Sequence, residues 1–121
     1  MSETQLRAIL LGLRALSPDI IASAVISTDG LVIASALPNE LDEDRVGAMA
    51  TAMLNFGARI SKELARGPLD QVVIKGQSGY VVLEFVGVDA LLCIVTGGDA
   101  KLGLVLMAAS RGAAALNEAL G

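Results

Sequence analysis

Leu6, Ile9, Leu10, Leu13 and Leu16 recur at helical intervals behind Ser2 and Gln5, which have capping-box spacing. The spacing predicts a first helix over residues 3–16, ended by Ser17-Pro18, because a residue before proline is pushed out of the α region. Ile20 to Ser27 and Leu31 to Leu37 are rich in Ile, Val and Leu and are parted by Thr28-Asp29-Gly30. Asp-Gly between two such runs predicts a hairpin with a type I′ turn. Both runs are apolar or small at nearly every position, the pattern of strands covered on both faces.

After Pro38-Asn39, Asp42 reads as an N-cap, with Glu43 and Asp44 where the helix dipole favours anions. A long helix is expected to run to Arg66 and stop at Gly67-Pro68. Val46, Ala50, Met53, Gly57, Ile60 and Leu64 make its central stripe, flanked by Met49 and Phe56 on one side and by Gly47, Leu54, Ala58 and Ala65 on the other. That apolar arc is wider than the roughly 100° a helix needs against one sheet, which predicts a second neighbour. Three strands follow, Gln71–Lys75, Tyr80–Val86 and Ala90–Thr96, joined by short loops and so antiparallel. Gly97-Gly98 turns the chain, Asp99 is expected to cap, and a last helix runs from Ala100 to about Leu120 with Leu102, Val105, Leu106, Ala109, Ala113, Leu116 and Leu120 inward.

The order is α-β-β-α-β-β-β-α. It predicts an α/β chain of the α+β sandwich kind: one five-stranded antiparallel sheet, the long middle helix on one face and the two terminal helices on the other. Residues 1–121 are expected to form a single domain, with no stretch that reads as a linker.

Composition narrows the function. The chain is 54% hydrophobic yet 2% aromatic, so its core must be Ala, Val, Ile, Leu and Met in closely spaced layers. A net charge of −4 and scattered cations argue against a nucleic-acid or anionic-membrane surface. Phe56, Tyr80 and Phe85 are too few and too far apart for a base-stacking platform. The longest uncharged run, Val46 to Ala58, is too short to span a bilayer, and the acidic, polar start is unlike a signal peptide. A cytoplasmic protein without membrane insertion is expected. Cys93, alone in an apolar run, reads as a buried, inert thiol.

Catalytic chemistry finds few footholds. There is no histidine, hence no Ser-His-Asp or Cys-His arrangement and no histidine-based metal site. Neither a Walker loop nor G-x-G-x-x-G occurs, and Gly76-Gln77-Ser78-Gly79 joins two strands, unlike a nucleophile elbow. Asp42, Glu43 and Asp44 are adjacent on a helix and cannot converge on one atom. No catalytic residue, cofactor or metal is expected.

Two features point to binding. The strand Gln71–Lys75 follows a helix that returns the chain across the sheet, which places it at an edge, and it is expected to turn Gln71, Val73 and Lys75 outward and Val72 and Ile74 inward. An open edge is a template for another chain. On the middle helix Gly47, Ala48, Ala50, Thr51, Ala52, Gly57 and Ala58 would let a further helix approach closely, unless they merely seat it on its own sheet. The candidate interface with a second copy is therefore Gln71, Val73 and Lys75 with Met49, Met53, Phe56 and Ile60.

With these elements in order, two segments resemble the roadblock family, the dynein light-chain roadblock type that includes bacterial partners of Ras-like GTPases. Ser27-Thr28-Asp29-Gly30-Leu31-Val32-Ile33-Ala34-Ser35 looks like the family's first hairpin, D-G-L-x-x-A-S in kind. Ala100-Lys101-Leu102-Gly103-Leu104 looks like its entry into the last helix, A-N-L-G-L in many members, with Lys101 in place of the usual Asn. The resemblance implies a homodimer joined by edge strands and by middle helices lying side by side. It also implies non-enzymatic work, either regulating or scaffolding a small Ras-like GTPase or serving as a structural adaptor like a dynein light chain. A small-molecule sensor on a similar sandwich is disfavoured by the scarcity of titratable groups.

Overall fold

The computed structural model describes residues 2–121. Its elements are α1 (Glu3–Gly12), a short 3₁₀ turn (Leu13–Ala15), β1 (Ile20–Ser27), β2 (Val32–Ala36), α2 (Glu43–Glu63), β3 (Val72–Gly76), β4 (Gly79–Val86), β5 (Ala90–Thr96) and α3 (Leu102–Leu120). The order is the expected one. All five strands join a single antiparallel sheet in the spatial order β2-β1-β5-β4-β3, so β3 does lie at an edge.

Alternation along the central strands sorts their side chains into two apolar layers. Val25, Val82, Val86, Leu92 and Ile94 face α1 and α3, where they meet Leu6, Leu10, Val105, Ala109 and Leu116. Ala24, Ile26, Leu83, Leu91 and Cys93 face α2 through Ala50 and Leu54. The first layer holds more buried side chains because two helices cover it, the second fewer because one does.

Several local expectations give way to other geometry. The bonded pair Ser27 and Leu31 encloses three residues, Thr28-Asp29-Gly30, so the turn is not type I′. Gly30 N–H donates to the Ser27 carbonyl at 2.9 Å, Ser27 N–H donates to the Leu31 carbonyl at 2.8 Å, and positive φ is confined to Gly30 (+89°). That is a type I turn closed by a left-handed glycine, the usual three-residue solution to the strand twist. α2 ends at Glu63 rather than Arg66, because Ala65 enters the left-handed region (φ +56°). Ala65 N–H donates to the Lys62 carbonyl and Arg66 N–H to the Ser61 carbonyl, a Schellman closure formed before Gly67 is reached. α3 begins at Leu102 with Lys101 as N-cap and no side-chain cap, so Asp99 does not cap it. Its buried face is Val105, Ala108, Ala109, Gly112, Ala113 and Leu116, a little turned from the expected stripe, because Gly112 lies against Leu13 and Leu92.

The largest correction concerns α2. Its buried residues are Gly47, Ala50 and Leu54, so the helix is rotated from the expected centre toward the Gly47/Leu54 flank. The cause is the close approach of the backbone. A Cβ on Gly47 would collide with the Gly30 carbonyl oxygen, and one on Gly57 would lie 2.6 Å from Val72 Cγ2. The small residues Gly47, Ala50 and Gly57 thus seat the helix on its own sheet, and the larger Met53, Ile60 and Leu64 are left exposed.

Candidate binding face

β3 and β2 are the two edges, and they are not equally open. At β2 the Ser35 carbonyl accepts from Arg7 Nε at 3.2 Å, and the Ser35 hydroxyl donates to Glu43 at 2.6 Å. β3 pairs on one side alone, with Val73 opposite Val82, Lys75 opposite Tyr80, and Gly76 opposite Gly79 across the two-residue turn Gln77-Ser78. A pair that closes so short a turn is a bonded pair. Alternation then turns the N–H and C=O of Val72 and Ile74 toward β4 and those of Val73 and Lys75 away from the sheet. Tyr80 agrees, since its N–H points away from β3 and donates to Thr96 Oγ1 at 3.0 Å.

The side chains of this edge fall on both faces. Val73 is 40% exposed and Lys75 is exposed. Ile74, expected to point inward, is 41% exposed, because α2 runs from the β1–β2 turn toward the start of β3 and leaves the far end of the sheet uncovered. Gln71 departs further from expectation. It precedes β3, and its Nε2 donates to Glu84 Oε1 at 2.7 Å, to the Leu106 carbonyl at 3.1 Å and to Ser110 Oγ at 3.3 Å. The side chain expected to point outward is folded back onto α3.

On the α2 face, Met49, Met53, Phe56 and Ile60 form an exposed stripe along the outer side of the helix. Beside the stripe opens a cleft of about 600 Å³ between α2 and the uncovered end of the sheet, with Leu41, Val46, Met49 and Met53 on one wall and Ile74, Val81, Leu83 and Val95 on the other. Cys93 lines it too, with its thiol pushed up to about 11 by burial, which keeps it protonated and unreactive at neutral pH. The structure thus divides the sequence-selected residues between the two faces of the sheet. Val73, Lys75 and Gln71 share the α3 side of the β3 edge, and Met49, Met53, Phe56 and Ile60 share the outer side of α2 with the cleft beside them.

Glu84 is a residue that sequence reasoning missed. It occupies a core-facing position of β4, between Val82 and Val86 on the α3 side. Burial raises its pKa above the usual carboxylate value, opposed by the hydrogen bonds from Gln71 and Ser110, and Asp70 nearby raises it further. The signal was present as a charged residue in the apolar row Val82, Glu84, Val86, but a lone acidic residue in a strand also fits an ordinary solvated position. Among the described residues no group of three His, Cys, Asp or Glu side chains is placed to hold a metal ion, and no helix is long and apolar enough to cross a membrane.

Comparison with known proteins gives a consistent picture. The Roadblock/LC7 domain model matches residues 7–96. An uncharacterized protein of Methanocaldococcus jannaschii, MJ0310, is 37% identical over 91 residues, which cover 75% of this chain and 79% of that protein. Among solved structures, a Roadblock/LC7 domain from Streptomyces avermitilis superposes with a TM-score of 0.84 at 20% identity, covering 94% of this chain and 96% of its own. MglB of Myxococcus xanthus superposes with a TM-score of 0.87 at 15% identity, covering 98% and 90%. At such identities the likeness of the two structures speaks for the fold.

Proposed function

The chain belongs to the Roadblock/LC7 domain family, and on that footing we propose that it works as a homodimeric, non-enzymatic binding module that regulates or scaffolds a small Ras-like GTPase. Domains of this family are in general binding and adaptor domains. The observation that carries the homodimer is the meeting of an open β3 edge with the apolar stripe Met49, Met53, Phe56 and Ile60 and its cleft. Edge-to-edge pairing of two copies runs about a two-fold axis normal to the sheet, which keeps both α2 helices on the same face. One contact then satisfies the free N–H and C=O groups of β3 and covers the apolar surface beside them.

The GTPase enters through the family resemblance, joined to a physical condition. A partner distinguishes GTP from GDP only by touching segments that the γ-phosphate orders. A symmetric dimer presents a composite surface to such segments, and the chain, with no phosphate cradle of its own, neither binds nor hydrolyses the nucleotide. The test is titration of the purified protein with Ras-like GTPases of the same cell, loaded with GDP or with a non-hydrolysable GTP analogue. Preferential binding of one form supports the reading. Equal affinity for both forms, or binding to none, replaces it with the structural-adaptor role. The whole of residues 1–121 acting as a single cytoplasmic domain belongs to the same proposal.

A further inference from the structure

Glu84 stands half-buried near a second carboxylate, Asp70, and among the described residues no lysine or arginine hydrogen-bonds to it. Its partners are neutral: Gln71 Nε2 at 2.7 Å and Ser110 Oγ at 3.5 Å. A carboxylate in an apolar row is costly without a counter-charge. Gln71 stands one residue before the last ladder pair, Val72 opposite Leu83, and its side chain reaches Glu84 on the next strand, so the cluster lies at the open edge. We propose that Lys75 of a second copy supplies the missing cation: two β3 strands pair antiparallel about Val73, and each Lys75 forms an ion pair with the Glu84 of the other copy, beside Gln71. The inference rests on the homodimer reading above and adds to it the register and the charge pair that fixes it.

Symmetry leaves few alternatives. When a two-fold axis normal to the sheet relates two edge strands, side-chain faces match only if some residue lies opposite its own copy. Three registers keep at least three residues of the five-residue strand paired, centred on Val73, Ile74 or Lys75, and the last sets the two lysines directly opposite each other, a like-charge contact. Centred on Ile74, each Lys75 lies opposite Val73 of the other copy, and the two ammonium groups become diagonal neighbours on one face, an unfavourable like-charge contact. Glu84 would then have no cation.

Centred on Val73, Lys75 lies opposite Gln71 of the other copy. Two strand spacings, about 10 Å, separate its Cα from that of Glu84, a span that the lysine stem and the glutamate side chain bridge together. On the α2 face the same register sets Val72 opposite Ile74 and continues the apolar cleft across the axis, where the register centred on Ile74 would set Val72 opposite Gly76. Charge and apolar contact select the same register.

Single cysteines introduced in a Cys93→Ala background read the register directly. Val73→Cys is expected to cross-link two copies through a short bifunctional thiol reagent, since the two Cβ atoms of a hydrogen-bonded pair lie slightly beyond disulfide reach, and Ile74→Cys, whose copies lie on a diagonal, to cross-link poorly. Lys75→Gln and Glu84→Gln are each expected to raise the dimer dissociation constant by roughly 3- to 10-fold, two symmetric pairs being lost together, and the double variant no further than the stronger single one. In Glu84→Gln the new amide oxygen still accepts from Gln71, so this variant keeps its local hydrogen bond. Efficient cross-linking through Ile74→Cys, or additive effects of the two charge variants, overturns the register while leaving a homodimer in place. A wild-type protein that is monomeric overturns the homodimer reading itself.

Discussion

Ala65 is the sole non-glycine with positive φ among the described residues, and it holds the left-handed position that closes α2. The conformation puts Cβ against the following carbonyl, a strain that glycine avoids. Ala65→Gly is therefore expected to stabilise the protein by about 0.5–1 kcal/mol, read as a higher urea midpoint with an unchanged slope. Glu84 offers a test of the opposite kind. Its folded pKa is raised, so folding disfavours the charged form, and stability falls as pH rises from the ordinary carboxylate value through the folded one. Because the group is only partly buried, solvent screening keeps the effect modest. In a monomeric background Glu84→Gln is expected to raise the melting temperature at pH 7 by about 1–3 °C and by less at pH 4, below the ordinary carboxylate value. A Gln variant that is less stable at pH 7 would mean that the carboxylate is favoured within the single chain.

Among the elements, β3 carries the sharpest test. Val73 N–H points away from β4, so Val73→Pro removes a donor that the isolated chain does not use. The variant is expected to lose about 1 kcal/mol of unfolding free energy or less and to weaken self-association by at least about tenfold. Sedimentation equilibrium measures the second effect and denaturant titration the first. Unchanged association would remove β3 from the contact. Helix α2 shows how close packing decides orientation. The apolar arc over Val46–Leu64 is wide enough to allow several rotations, and the glycines at 47 and 57 choose among them by letting the backbone settle on Gly30 and Val72. Met49, Met53, Phe56 and Ile60 remain outside as a consequence.

For the whole molecule, the arrangement resolves into one doubly covered face and one incompletely covered face. Two helices enclose the first layer, and a single oblique helix leaves the second open at the end that holds Ile74, Val81 and Val95. Apolar area of this kind, next to unpaired backbone groups, favours association in water. Gel filtration with light scattering at micromolar concentration is expected to give about twice the 12.4 kDa chain mass, and substituting Met53 and Phe56 together by Ser is expected to return it toward one.

The order of elements, the single antiparallel sheet and the edge position of β3 were legible in the sequence, because hydrophobic period and turn residues act locally and each strand was bounded by its own punctuation. The strands Ile20–Ser27 and Ala90–Thr96 fall where the pattern put them. Decisions that depend on approach in space were not legible. The rotation of α2 follows from a collision between Gly47 and a carbonyl of a distant turn, and the folding-back of Gln71 from an acceptor on β4 and two more on α3. The early stop of α2 at Ala65 follows from a Schellman closure that a Gly-Pro two residues later concealed. A local pattern determines which faces of an element are apolar; which face is covered depends on how near another backbone can come.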